Sequence, residues 1–163
     1  MKKVLLGLAL VWAVAASLVM WGSNFATGTV HDQLAAQKIS FPDKTALEED
    51  NPALVKYAGQ MVDNGDKAKA YSEYINGHLQ KIAGGKTYSE VSSAYQLDKT
   101  NTTLAGQRQS LFMGETLRGL LLNAWGWGLI GTIAMYASVV LYVASLGALG
   151  LALMNPVKKR GKK

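Results

Sequence analysis

With no cysteine in 163 residues, disulfides and thiolate metal sites are excluded outright. The formal charge of +6 suggests nucleic acid until the charges are located: Lys2 and Lys3 stand at the start, and Lys158, Lys159, Arg160, Lys162 and Lys163 at the end. Residues 23–116 hold 9 Lys/Arg against 11 Asp/Glu, so the middle is mildly acidic, and the pattern reads as a membrane-topology signal with no nucleic-acid partner.

Residues 4–22, VLLGLALVWAVAASLVMWG, carry no charge and predict a first transmembrane helix, domain 1–22. Ala13-Val14-Ala15 resembles a signal-peptidase site, which makes a cleaved signal the alternative. The apolar run continues past that site for longer than the usual signal core of about 7–15 residues, which favours an uncleaved anchor. Beyond it, Phe25, Val30, Leu34 and Ile39 are spaced as one rough helical face, so the first helix is expected to continue outward through residues 23–39.

The middle, 23–116, reads as a small all-α extracytoplasmic domain, near the lower practical size for a core. Asn51 is expected to cap a helix with Pro52 in its first turn, followed by Leu54, Val55, Ala58, Met61 and Val62 at helical spacing. Asp66 is expected to cap the next helix. Its stripe of Tyr71, Tyr74, Ile75, His78, Leu79 and Ile82 ends at Gly84-Gly85. Thr87-Tyr88-Ser89-Glu90 matches a capping box that opens a short helix to about Leu97. No strand pattern appears.

From Leu104 a long helix begins, with Leu104, Leu111 and Leu122 on roughly one face. Its apolar part, 117–154, contains one ionisable residue, Arg118. At about 1.5 Å per residue those 38 residues make roughly 57 Å of helix, against a bilayer core of about 30 Å. The second span is therefore expected to cross the membrane and continue beyond it. Splitting 117–154 into two spans is rejected, because no turn divides it evenly and a third crossing would export the basic tail 155–163. Asn155-Pro156 reads as its helix stop. Both basic tails then face the cytoplasm of a bacterial plasma membrane, and 23–116 lies outside. Counting from the cytoplasmic side puts Trp21 level with Ala137, so Trp21 and Tyr136 could form one interfacial belt. The alternative is a belt of Trp125 and Trp127 on a tilted span.

Gly126-Trp127-Gly128-Leu129-Ile130-Gly131 fits G-x-G-x-x-G but lies inside an apolar helix, so it reads as glycines for close packing or a bend. Ala144, Ala148 and Ala152 form one small-residue ridge and Ala9, Ala13 and Ser17 another. Such ridges serve either the packing of the two spans on each other or docking to another membrane protein. Glu115 and Arg118 stand i, i+3 and are expected to pair, and Arg118 could instead hold a lipid headgroup or a partner's carboxylate. Arg108 joins them as a candidate partner residue. The spans hold no acid, histidine or further base, which argues against transport and intramembrane haem. His31, His78 and the Glu48-Glu49-Asp50 run show no metal-ligand spacing, so no metal, cofactor or catalytic residue is assigned.

Residues 107–123, QRQSLFMGETLRGLLLN, resemble the signature of a family of small two-span actinobacterial membrane proteins, often labelled aromatic ring-opening dioxygenases. So do 30–42, VHDQLAAQKISFP, then Tyr57-Ala58-Gly59-Gln60, and 84–92, GGKTYSEVS. The resemblance spans nearly the whole chain, with 114–122 its most specific part. It implies an uncleaved first helix and an actinobacterial plasma membrane, and supplies no catalytic residues. The expected function is a non-enzymatic accessory or scaffold subunit of a larger membrane complex, respiratory or envelope-associated, whose partners are the lipid bilayer and other membrane proteins. An envelope sensor or ligand-binding module is the alternative, and a non-haem iron dioxygenase the third reading.

Overall fold

The computed structural model describes residues 1–154, and the chain is all-helical there, with no strand among the described residues. The order is α1 Lys2–Ala36, α2 Lys44–Asp50, a 3₁₀ helix Pro52–Tyr57, α3 Gly65–Ala83, α4 Tyr88–Leu97 and α5 Thr102–Met154. The tail 155–163 and the helix stop at Asn155-Pro156 lie outside the described residues. The chain divides into two compact units, Met1–Gly28 with Leu129–Lys163, and Thr29–Gly128. The second unit includes residues 117–128, which the sequence reading assigns to the long second span.

In the first unit the N-terminal part of α1 meets the C-terminal part of α5. Both helices are long and apolar enough to cross a membrane. In their most apolar windows only 11% and 22% of residues are buried, whereas the core helix of a soluble protein would be mostly buried. What is buried is small: Ala9, Ala16 and Ser23 on α1, and Gly131, Ser138, Ser145, Ala148 and Ala152 on α5. Apart from Ala148, which falls between Ser145 and Ala152, each set steps by seven residues, the spacing that keeps two helices in contact along a left-handed crossing. This corrects the Ala9, Ala13, Ser17 ridge: Ala13 is half-buried and Ser17 exposed. A step of four drifts by about 40° on a helix of 3.6 residues per turn, whereas a step of seven drifts by about 20°.

Two bonds set the register. The Ser145 hydroxyl donates to the Ala9 carbonyl and the Ser23 hydroxyl to the Gly131 carbonyl, both at 2.7 Å. The bonds are fourteen residues apart on each helix, so the pairing is antiparallel without slippage. Trp21 therefore lies level with Ile133, and Tyr136 about one turn further along α5.

In the second unit, Val30 and Leu34 of α1, Phe41, Leu47, Leu54, Val62, Ala68, Ala70 and Leu121 of α5 form the main core. Leu79, Ala83, Val91 and Leu111 form a smaller cluster joining α3, α4 and α5. Phe41 stacks on Tyr57 and meets Tyr71 edge-on, both at 5.2 Å between ring centroids. Phe25 departs from the expected face: it is exposed and stacks on Trp21. Of the expected face on α5, Leu111 is buried and Leu104 partly so, but Leu122 is exposed and its neighbour Leu121 is buried instead.

The caps explain the local boundaries. Helix α2 was not anticipated; the Asp43 side chain accepts from the Ala46 amide and opens it. Asn51 makes no side-chain cap bond, and the stretch after Pro52 closes as a 3₁₀ helix at Tyr57. Phe41 and Val62 then pair backbone-to-backbone with Gln60 and Ile39. Asn64, not Asp66, caps α3 by accepting from the Lys67 amide. Gly84 and Gly85, at φ 60° and 80°, end α3 as expected. The Thr87–Glu90 capping box is formed in full.

Candidate functional site

The candidate residues on α5 divide by what a side chain would meet there. A Cβ on Gly131 would come within 2.6 Å of Thr27 Cγ2 and 3.3 Å of the Ser23 carbonyl. One on Gly128 would come within 3.3 Å of Gly65 Cα. Gly114, which the sequence also groups with the glycines that need close packing, faces Leu79, whose Cδ2 a Cβ would meet at 2.6 Å. Gly126 and Gly119 face nothing within 4 Å, so close packing does not account for them. Ala148 and Ala152 are buried in the seam with α1 and Ala144 is half-buried, so this ridge is used largely inside the helix pair.

The Arg118 guanidinium reaches both carboxylate oxygens of Glu115 at 2.7 and 2.8 Å, the i, i+3 pair the spacing suggests. Its Nε is buried without a hydrogen bond. Arg108 stands over the Tyr95 ring at 4.4 Å, which fixes it against α4. Gln107 donates to the Ile82 carbonyl at 2.9 Å, tying α5 to the end of α3.

A polar cluster joins α2 to α3. Lys81 donates to Asp50, and His78 Nε2 faces the other Asp50 oxygen at 3.3 Å in a geometry that makes no hydrogen bond. The Tyr74 ring meets His78 edge-on at 4.5 Å. These groups line a shallow cleft of about 160 Å³ with Asn51 and Gly77. The Lys81 ammonium holds the Asp50 carboxyl below its ordinary range, and Asp50 in turn raises Lys81. Burial pushes the Tyr71 and Tyr74 phenols up. His31 is engaged elsewhere, with Nδ1 2.9 Å from the Asp63 carbonyl oxygen. The two histidines therefore do not converge, and among the described residues no three His, Asp or Glu gather to hold a metal. The residues present do not fit a two-histidine, one-carboxylate iron site.

One feature of α5 in the second unit escaped the sequence reading. Met113, Thr116, Leu120, Asn123 and Trp127 are all exposed, Met113, Leu120 and Trp127 by 54%, 64% and 54%. Phe112, Leu117 and Leu122 are exposed as well, so the helical domain leaves this part of α5 uncovered on several faces. The sequence does not single this surface out, because α5 is apolar on several faces and no one face stands out by periodicity. No family model, curated protein or solved structure matches this chain.

Proposed function

We propose that the chain is a two-span integral membrane protein of a bacterial plasma membrane, serving as a non-enzymatic accessory or scaffold subunit of a larger membrane complex. The observation that carries the reading is the apolar surface that α5 leaves uncovered in the second unit, where Phe112, Met113, Leu117, Leu120 and Trp127 are all exposed. An exposed apolar surface of this kind supports contact with another protein. The exposed apolar faces of α1 and α5 around a seam of alanine, serine and glycine support insertion in lipid, where small residues let helices approach. The seam also supports an uncleaved first helix, because cleavage near Ala15 would remove Ala9 from it. Both basic tails support cytoplasmic termini, with 23–116 outside.

The cleft between α2 and α3 is shallow and open, whereas small-molecule sites enclose most of their ligand, which weighs against the ligand-binding module. The scattered histidines weigh against the iron dioxygenase. Mild detergent extraction followed by identification of co-purifying proteins tests the function. A stable membrane partner is expected, and recovery only as a lone monomer would remove the subunit reading. Topology is tested in a chain without native cysteine: Ser40→Cys should react with an impermeant thiol reagent in intact cells and Gly161→Cys should not. The reverse pattern would invert the topology.

A further inference from the structure

We propose that the stacked rings of Trp21 and Phe25, with Tyr136, form a lipid-interface anchor that fixes the depth of the first unit. The hydrocarbon core then ends between Trp21 and Asn24, where these rings meet phospholipid headgroups. The inference rests on the reading of this unit as membrane-inserted. From Val4 to Trp21 every exposed residue of α1 is apolar or glycine except Ser17, whose hydroxyl bonds the Ala13 carbonyl and Tyr142. Exposed Lys3 precedes this run and exposed Asn24 follows it. The helix rises about 32 Å between those two residues, against about 30 Å for a bilayer core. Further along α1, Gly28, Thr29, His31 and Asp32 are exposed, so Phe25 is the last exposed large apolar residue of the helix.

The geometry of the rings fits that boundary. Trp21 and Phe25 are 69% and 65% exposed, with ring centroids 5.8 Å apart. Helical side chains lean toward the N-terminus of their own helix. On α1 this brings Phe25 back over Trp21. Helix α5 runs the opposite way, so Tyr136, one turn further into the run than Trp21, leans outward toward the same level. Tryptophan and tyrosine settle at such a boundary because each joins an apolar ring to one polar N–H or O–H. Phe25 has no polar group, and its part is to hold the Trp21 ring by stacking. Anchors of this kind, together with helix packing, set how a span sits in the bilayer.

The test uses the full-length chain, which has no native cysteine, in vesicles of phosphatidylcholine and phosphatidylglycerol. A thiol-reactive fluorophore is placed singly at Val14→Cys, Asn24→Cys and Gly28→Cys, all exposed positions. Quenching by lipids brominated on the acyl chain should be strong at Val14 and weak at Gly28, and quenching by a headgroup spin label should peak at Asn24. Strong acyl quenching at Gly28, or a headgroup peak at Val14, would move the boundary away from the rings and overturn the proposal. Weak acyl quenching at all three positions would remove the membrane reading itself. With the probe at Asn24, Trp21→Ala should shift the ratio of acyl to headgroup quenching. Trp21→Tyr, which keeps a ring with a polar tip, should restore the ratio, and Leu18→Ala, inside the run, should leave it unchanged. An unaltered ratio in Trp21→Ala, or the same shift in Leu18→Ala, would reduce Trp21 to ordinary lipid-facing surface and overturn the anchor.

Discussion

The two compact units of this chain bury opposite kinds of residue. Met1–Gly28 with Leu129 onward hides alanine, serine and glycine and exposes leucine, valine and isoleucine, whereas Thr29–Gly128 hides leucine, valine and phenylalanine. The difference follows from the surroundings each unit suits. In water, burying large apolar side chains is the dominant driving force. In lipid that force is absent between helices, and association rests on close approach and interhelical hydrogen bonds. The serine-to-carbonyl bonds at Ala9 and Gly131 are of that second kind. The helix pair leaves most of its large apolar side chains exposed, and a core like that of the second unit has no counterpart in it.

Substitutions that change size should separate the two units. The largest effect is expected for Leu47→Ala or Leu111→Ala, each fully or almost fully buried. Leucine-to-alanine changes in cores cost about 2–5 kcal/mol, read as a lowered thermal transition by circular dichroism in detergent. A near-zero change would deny the second unit a packed core. Next comes Gly131→Leu. Its side chain must displace Thr27 and the Ser23 carbonyl, and overpacking costs about 1–3 kcal/mol, against a helix-propensity gain of about 1 kcal/mol. Gly126→Leu, facing open space, should keep the gain and lose nothing, although the sequence reading groups both glycines as packing residues. Equal behaviour of the two variants would show that the seam is not where the geometry puts it.

A smaller effect is expected at the seam's hydrogen bonds. Ser145→Ala removes the donor to the Ala9 carbonyl while keeping a small residue in place. That carbonyl already serves its own helix, so the loss should be near the average of about 0.6 kcal/mol found for such bonds in membrane helices. Ser145→Leu should cost more than Ser145→Ala, because size dominates in this unit. The opposite order, measured by the same unfolding assay, would mean that polarity and not close approach holds the pair.

Legibility followed the length of each signal. The two long helices, the α3 stripe, the Gly84-Gly85 stop and the capping box were readable, because each rests on local chemistry or on many residues. Helix α2 was not: it has seven residues, KTALEED, and a single buried side chain, Leu47, too short for periodicity to register. Asn64 and Asp66 are both capping types two residues apart, and only the backbone shows that Asn64 accepts the bond. The end of α1 carries no glycine; Lys38 takes φ 53°, a position where glycine or asparagine would have marked the turn. On the candidate residues, the Glu115–Arg118 pair was legible from its spacing. Which glycines meet a neighbour was not, since Gly131 and Gly126 differ only in what stands opposite.

Acid should separate the units by charge as size separates them by packing, and this is the smallest effect expected. All the carboxylates held low belong to the second unit. The Lys81 ammonium lowers Asp50, the Thr87 amide lowers Glu90 and the Thr100 hydroxyl lowers Asp98. A group whose folded pKa lies below its ordinary value near about 4 contributes stability above that value and loses it as pH falls through the folded one. Lys81 is raised, so its contribution is present below its ordinary value and lost as pH rises through the folded one. The Asp50–Lys81 pair thus acts between these limits. Lys81 is exposed and Asp50 only half-buried, so solvent screens the pair and the effect is small. Residues 4–28 and 129–154 contain no Asp or Glu, so the helix pair has no carboxylate to titrate. Lowering the pH from 6 to 3 should lower the thermal transition of the second unit and leave the helix pair unchanged. The Asp50→Asn variant should be slightly less stable at pH 6 and lose less on acidification, because part of what acid removes is already gone. An equal loss in variant and wild type would show that Asp50 is not held low. A parallel loss in the helix pair would show that its stability depends on the charges of the second unit.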